Sequence, residues 1–338
     1  MDHVLAEGKL PTELLERLLR HTSRSGALAV GAEPGEDAAV APGAGTLVIT
    51  ADPITFADER IGAYTVAVNS NDIVAMGATP VYLTTTILLA PGTTEAEVER
   101  IFADIETACR TVGVLWVGGH TEVTRVVRRT IVCGQAVGFL SGPPLRTGGA
   151  RPGDRFCMTK WVGLEGTTTI ARRLPEESRA VLGGAAFDEV LRWLDEPGLS
   201  IVEEGRTLQG FALSSGHDPT EGGIAMGIVE ICRRSGTGGL IRYERLPLRE
   251  ETRRLCDRFG LDPLGLLSSG VFLFTAEPSV ADRACAELSA RGIPCAVIGD
   301  VCEASEGIRL ERGGECGELR ASEQDEIVKL SAAGPSEG

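Results

Sequence analysis

The chain has 338 residues, 43% of them apolar and 24% charged, enough to bury the core of two domains or one large one. Its formal net charge of -15 argues against a nucleic-acid surface, and an anionic ligand must be met by a cation and backbone N–H groups. No apolar run reaches spanning length and no charged-then-apolar leader is present, so the chain reads as cytoplasmic, with no membrane partner.

In chain order, an amphipathic helix through Leu14, Leu15, Leu18 and Leu19 comes first. Gly35-Glu36-Asp37-Ala38-Ala39-Val40 is a punctuated turn that sets two carboxylates before an apolar strand. Residues 46–50 read as a short buried strand that delivers Asp52 at its end, where Pro53 stops the ladder. From about residue 60 to 76 the pattern is helical and apolar on almost every face, which belongs in a core. Yet Asn69, Asn71 and Asp72 sit in its middle, and Asn69 and Asp72 share a face. A buried lone carboxylate costs roughly several kcal/mol unless it is paired or on a metal. Asp52 and Asp72 are therefore expected to point into one polar site. Alternatively, Asp72 caps a local turn and Asp52 merely ends a strand.

Residues 81–90 read as a strand, and Thr94 with Glu97 as a capping box opening an amphipathic helix with Ile101, Ile105 and Cys109 inward. A short buried strand over 114–117 runs into Gly118-Gly119-His120-Thr121-Glu122. Paired glycines after a strand let a ligand approach the backbone, which makes His120 and Glu122 candidates for substrate contact or proton transfer. The plainer reading is a structural histidine. A strand over 130–140 closes a ferredoxin-like α+β layer.

The Gly- and Pro-dense stretch 141–154 marks a boundary between residues 1–148 and 149–330, with a disordered tail over 331–338. A strand through Phe156 and Met158 ends at Lys160 and precedes Gly163-Leu164-Glu165-Gly166-Thr167, which enters a helix. Helices are expected over 178–194 and 200–213. In Gly216-His217-Asp218-Pro219-Thr220-Glu221-Gly222-Gly223, Asp218 suits an N-cap and Pro219 the first helical position. Such a start can meet an anion, although most are capping chemistry alone. Strands near 240–242, 271–275 and 295–298 then alternate with helices over 250–259 and 279–291. The nine cysteines include no C-x-x-C pair, which argues against a zinc ribbon or a thioredoxin-like site. Most read as buried small hydrophobes.

Five of these motifs, Gly35–Val40, Thr50-Ala51-Asp52, Asn71–Ala78, Gly118–Glu122 and Asp218–Gly223, resemble the aminoimidazole ribonucleotide synthase (AIR synthase, PurM-like) superfamily in its own order. The turn at Asp218 and Leu261-Asp262-Pro263-Leu264 are most similar to HypE-type hydrogenase maturation proteins. The resemblance implies a two-domain α+β PurM-like fold, with an N-terminal layer forming a β-barrel across a homodimer and a C-terminal α/β domain. It further implies ATP and Mg²⁺ in the cleft between domains. Asp37, Asp52 and Asp72 would hold the metal, and Asn69, Gly118, Gly119, Thr121, Asp218, Thr220, Gly222 and Gly223 would line the nucleotide site. The expected activity is ATP-dependent phosphorylation of an amide or acyl oxygen of a small-molecule substrate. A kinase of the thiamine-monophosphate kinase type, or a nucleotide-binding partner without turnover, are the alternatives. HypE-type and kinase relatives carry Asp where this chain has His120, and selenophosphate synthetases resemble it at that position. HypE-type chains end in Pro-Arg-Ile-Cys, whereas the last cysteine here is Cys316, so the carrier cysteine is expected to be missing. The substrate, and any protein partner that delivers it, are left open.

Overall fold

The computed structural model describes residues 39–41, 45–55, 60–322 and 324–332. The expected N-terminal helix, Asp37 with its turn, and residues 333–338 of the expected tail lie outside the described residues. A short helix, Val328–Ala332, takes up the first residues of that tail.

Residues of the first half form a five-stranded sheet of β1 (Ala39–Ala41), β2 (Thr46–Ile54), β3 (Thr79–Leu89), β4 (Leu115–Val123) and β5 (Ile131–Leu140). Its order is β1-β2-β5-β3-β4, with α1 (Ile61–Ala75) and α2 (Glu95–Val112) on one face. The capping box of α2 is formed: Glu97 N–H donates to Thr94 Oγ1 at 3.3 Å and Thr94 N–H to Glu97 Oε2 at 2.6 Å. Ile105, Cys109 and Val112 are its buried stripe, as the 3.6-residue period predicts.

β2 does not stop at Pro53. It continues to Ile54, with Pro53 opposite Cys133 of β5. Among the described residues β1 pairs only with Leu47 to Ile49 on its other side, and no described residue pairs with Pro53 there. β4 is also longer than expected, and it is an exposed edge strand rather than a buried one.

Two glycines let α1 lie on the sheet. A Cβ at Gly134 would stand 2.4 Å from Asn69 Nδ2, and one at Gly138 2.2 Å from Ile73 Cγ2. β5 reads Cys133-Gly134-Gln135-Ala136-Val137-Gly138 because its helix-facing positions must be nearly flat.

The second half is a seven-stranded sheet of β6 (Arg155–Thr159), β7 (Leu213–His217), β8 (Gly238–Arg242), β9 (Leu273–Ala276), β10 (Cys295–Cys302), β11 (Ile308–Arg312) and β12 (Glu315–Glu318). The order is β12-β11-β8-β10-β6-β9-β7, antiparallel except for β8 with β11. Around it lie α3 (Leu164–Arg173), α4 (Pro175–Leu182), α5 (Gly184–Arg192), α6 (Val202–Leu208), α7 (Gly223–Ser235), α8 (Glu250–Phe259), α9 (Pro278–Ala290) and α10 (Val328–Ala332). The pattern over 178–194 resolves into parts of two short helices broken at Gly183, and Leu213 opens β7 instead of closing a helix. Among the described residues no helix is long and apolar enough to cross a membrane.

The two halves share one apolar core. Ile73 and Val74 of α1 belong to the same buried cluster as Leu199, Ile201, Val202 and Leu208. Asn71 fixes that contact, donating from Nδ2 to Leu199 O at 2.8 Å and accepting the Ile201 N–H at Oδ1, 2.9 Å. The Gly- and Pro-rich stretch is bound down as well, with Leu145 N–H on Met76 O at 2.9 Å and Gly216 N–H on Arg146 O at 3.3 Å.

Replacing Asn71 by alanine removes both bonds and strands a buried carbonyl and N–H at the seam. Unfolding in denaturant should show a loss of about 2–4 kcal/mol. A loss of less than about 0.5 kcal/mol, the range of ordinary surface changes, would mean that Asn71 does not clamp the halves together.

Candidate nucleotide and metal site

Alternation along β2 puts Val48, Thr50, Asp52 and Ile54 on the face that α1 covers. α1 presents Asn69 and Asp72 to them. Asn69 is fully buried and binds Asp52 through its backbone: Asp52 N–H donates to Asn69 Oδ1 at 2.9 Å, and Asn69 Nδ2 donates to Asp52 O at 3.3 Å. A further bond from Nδ2 to Thr65 O, 2.9 Å, holds the amide in place. One turn on, Thr50 Oγ1 donates to Asp72 Oδ2 at 2.5 Å, and Asp72 is buried. Thr50 and Asp52, two residues apart on β2, thus meet α1 at Asp72 and Asn69, one turn apart on the helix. The main-chain clasp by Asn69 leaves the Asp52 carboxylate to make other contacts.

The residues of β4 are not gathered there. β4 lies three strands from β2, about 14 Å away at ordinary strand spacing. A bulge moves the register so that Trp116 pairs with Leu83 but Gly119 pairs with Thr85. Gly119 and Thr121 therefore fall on the helix-covered face beside Thr85 and Ile87. His120 and Glu122 fall on the uncovered face beside Thr86 and Leu88. Gly118 stands at the bulge with φ 120°. The His120 and Glu122 side chains are exposed, with His120 Nε2 and Glu122 Oε2 at 3.6 Å. Within one chain they point away from Asp72.

The turn after β7 approaches α1 from the second half. A Cβ at Gly216 would lie 2.9 Å from Ala75 O. Asp218 follows β7 directly and is buried. The helix does not begin at Pro219: α7 starts at Gly223, capped by Gly222 with φ 77°, and Gly223 itself has φ 62°. The intervening Asp218-Pro219-Thr220-Glu221 is a loop. Gly222 N–H donates to Asp325 Oδ2 of the C-terminal segment at 3.0 Å and Gly223 N–H to Thr220 O within the turn at 3.1 Å, so both donors are taken.

One acidic residue was visible in the sequence but not singled out. Glu165, in the first turn of α3 after Gly163 in the left-handed region, is 1% exposed. Its carboxyl faces Ser269 without a well-aligned hydrogen bond. Burial raises its pKa from 4.5 to about 7; Ser269 opposes the rise, while Asp325 and Glu221 add to it by repulsion. Burial likewise lifts Asp325 to about 6. Glu165 also acts on Tyr64 of α1, whose phenol is pushed up mainly by burial and then by this neighbouring charge. Glu165 therefore stands near the seam where α1 meets the second half. The rule that picked out Asp72 does not reach it, because α3 reads Leu-Glu-Gly-Thr-Thr-Thr-Ile-Ala-Arg-Arg and is not apolar on every face.

Among the described residues no three or more His, Cys, Asp or Glu side chains are placed to hold a metal ion. Asp52 and Asp72 supply two carboxylates. These are hard oxygen donors on a rigid strand and a rigid helix, the chemistry that Mg²⁺ takes together with phosphate oxygens and water. The donor set fits Mg²⁺.

Residues 35–140 match the model of the AIR synthase related protein N-terminal domain, and residues 151–310 that of the C-terminal domain. The carbamoyl dehydratase HypE of Azotobacter vinelandii is 31% identical over 254 residues, 74% of this chain and 72% of the relative. A solved hydrogenase maturation protein HypE in complex with ATP superposes with a TM-score of 0.74 at 26% identity, covering 86% of this chain and 90% of that one. Thiamine monophosphate kinase from Aquifex aeolicus shares the fold, with a TM-score of 0.69 at 19% identity over 90% of this chain and 97% of its own. With both domain models matched in order and a HypE relative aligned across both halves, the chain belongs to the AIR synthase-related, PurM-like superfamily, among its HypE-like members.

Proposed function

We propose that the protein is an ATP- and Mg²⁺-dependent enzyme that phosphorylates an amide or acyl oxygen of a small molecule, making that oxygen a leaving group. The observation that carries this reading is the seam between β2 and α1, where Thr50 binds the Asp72 carboxylate and Asn69 binds the main chain of Asp52. The likeness to an ATP-bound HypE structure supports it. In this reading residues 1–148 carry the metal-facing acids, and residues 149–330 close the cleft with Glu165 and the Asp218 turn.

Asp52 and Asp72, with Asp37 from outside the described residues, would hold Mg²⁺. The ion, when bound, neutralises phosphate charge that a chain of net charge -15 would otherwise repel. Thr50 holds the Asp72 carboxylate, and Asn69 fixes the main chain that carries Asp52. The turn at Thr220, Gly222 and Gly223 is rimmed by Asp218, Glu221 and Asp325, so it suits a hydroxyl or amide group better than a bare phosphate. Glu165 is the group that we assign to proton transfer. Its pKa near 7 lets it take a proton from an attacking nucleophile or return one to a departing oxygen.

His120 and Glu122 reach such a site only from a second copy of the chain. A homodimer is supported by the apolar side chains on the open face of the first sheet, where Ile49, Tyr82, Leu115 and Phe139 are all more than one third exposed. A kinase that releases a phosphorylated product is the second reading, supported by the shared fold with thiamine monophosphate kinase.

Mg·ATP turnover with a panel of small amides, carboxylates and alcohols separates these readings. ADP formation that depends on an amide or acid, with no lasting phosphorylated product, is expected. A stable phosphorylated product would favour the kinase, and nucleotide binding without ADP formation under any condition would sink both enzymatic readings.

Asp72→Asn should weaken Mg·ATP binding about tenfold or more in calorimetry, on the scale of lost metal-site contacts, while the ligand-free melting temperature holds. Unchanged affinity with a lowered melting temperature would make Asp72 a structural residue.

Glu165→Gln tests the buried carboxyl by pH. Its folded pKa lies above its ordinary value of 4.5, so the folded state is favoured by protonation. That contribution is complete below about pH 4.5 and is lost as pH rises through about 7. The Gln variant should therefore match the parent near pH 5 and exceed its stability by about 2–3 kcal/mol at pH 8, with turnover sharply reduced. A stability difference that does not change with pH would show that Glu165 ionises in the folded protein just as it does in the unfolded chain, with no raised pKa.

A further inference from the structure

Three cysteines that the nucleotide reading does not use converge beneath α9. Cys157 lies in β6 and is fully buried. Cys295 opens β10, where it pairs with Thr159, and Val297 two residues on pairs with Cys157. α9 packs across both strands and carries Cys285. Cys285 Sγ and Cys295 Sγ stand 2.9 Å apart. A disulfide measures about 2.05 Å between sulfurs, so closing this pair takes less than about 1 Å of movement. Cys285 and Cys295 are each only partly buried, so the pair lies near the surface, while Cys109, Cys157, Cys232 and Cys256 are buried.

We propose that Cys285 and Cys295 form a reversible intramolecular disulfide, a thiol-modification site whose oxidant is a low-molecular-weight disulfide. The Cys285 thiolate attacks one sulfur of the small disulfide, and the other sulfur leaves as a thiolate that takes up a proton. Cys295, as thiolate, then attacks the Cys285 sulfur in the mixed disulfide. The Sγ–Sγ bond forms and the second small thiol is released. Two electrons and two protons pass from the protein thiols to the small disulfide, which is reduced to two thiols.

Local chemistry supports this order of events. Hydrogen bonds from Cys157 and then Cys295 lower the Cys285 pKa, against burial and the nearby Asp282 carboxylate. The thiolate therefore concentrates on Cys285. Cys295 is raised by sharing its proton with Cys285 and by burial, and Glu204 adds to the rise. Arg155, paired with Asp282 at 2.5 Å, is the nearby cation and lowers the Cys157 thiol slightly against its raised value.

The bridge would bear on the seam between the halves. The segment it closes ends at Pro294, whose carbonyl accepts the Lys160 N–H at 2.8 Å. Lys160 Nζ meets Glu204 Oε1 at 2.8 Å, Ser200 O at 2.7 Å and Gly270 O at 2.8 Å. Ser200 lies between the two residues that Asn71 clamps. Oxidation would thus stiffen the support of α1 without touching Asp52, Asp72 or Glu165, and the proposal stands apart from the nucleotide reading.

The test is peptide mapping of the full chain after incubation with excess oxidised glutathione, alkylation and digestion without reductant. A peptide pair joined through Cys285 and Cys295 should be the main intramolecular cross-link, and dithiothreitol should remove it. The melting temperature should rise on oxidation and return on reduction. Cys285→Ser and Cys295→Ser should each abolish the cross-link and the shift, whereas Cys157→Ser should keep both. Separate glutathione adducts on Cys285 and Cys295, free alkylated thiols at both, or a link from Cys285 to Cys157 in the parent chain would each overturn the assignment. The parent map decides the matter even if a serine variant fails to fold.

Discussion

The molecule depends on how a helix that is apolar on nearly every side accommodates three polar residues in its centre. α1 is buried against a sheet on one side and against the second half of the chain on the other. Asn69, Asn71 and Asp72 therefore cannot turn to solvent, and each unmade hydrogen bond would cost about 1–3 kcal/mol. Each finds a different partner: Asn69 the main chain of Asp52, Asn71 the main chain of Leu199 and Ile201, and Asp72 the hydroxyl of Thr50. These bonds tolerate only a few tenths of an ångström of drift. They set the axial position and rotation of α1 relative to β2 and to the second half together. A helix held by apolar contacts alone could slide, since burial has no direction. The polar groups convert a packed helix into a positioned one, and the position is what brings Asp52 and Asp72 to the same seam.

Electrostatics then constrains what the seam can bind. The chain is acidic overall, and the region where the halves meet adds Glu165, Asp218, Glu221 and Asp325 to the pair on β2 and α1. Burial keeps two of these, Glu165 and Asp325, from ionising at their ordinary pH. A phosphate could not enter such a region on its own. In the proposed function a divalent cation would satisfy Asp52 and Asp72 while carrying the anion in with it, and Glu165, raised by burial to about 7, would serve the proton transfer.

Much of this was legible in the sequence. The conflict between the apolar surroundings of α1 and its central Asn and Asp residues is readable without coordinates, and so is the capping box at Thr94 and Glu97. What could not be read depended on neighbours far along the chain. Pro53 stops a strand only if both sides of that strand are paired, and among the described residues it pairs with β5 alone. His120 and Glu122 looked like site residues from their glycine-rich context, yet a one-residue bulge against β3 decides which face they occupy. Asp218 and Pro219 have good helix-start chemistry. The left-handed glycines at 222 and 223, needed for the loop to pass Ser322 and Leu264 closely, move the start downstream. The approach of Cys285 to Cys295 is a product of how α9 packs across β10 and carries no local signature.

The measurement that bears most directly on the whole account is a crystal structure with a non-hydrolysable ATP analogue and Mn²⁺ in place of Mg²⁺, read by the anomalous signal of the metal. The account predicts an ion bonded to the Asp52 and Asp72 carboxylates and to phosphate oxygens at the seam of β2 and α1. An ion and nucleotide bound elsewhere, with both carboxylates left out of the coordination sphere, would contradict it.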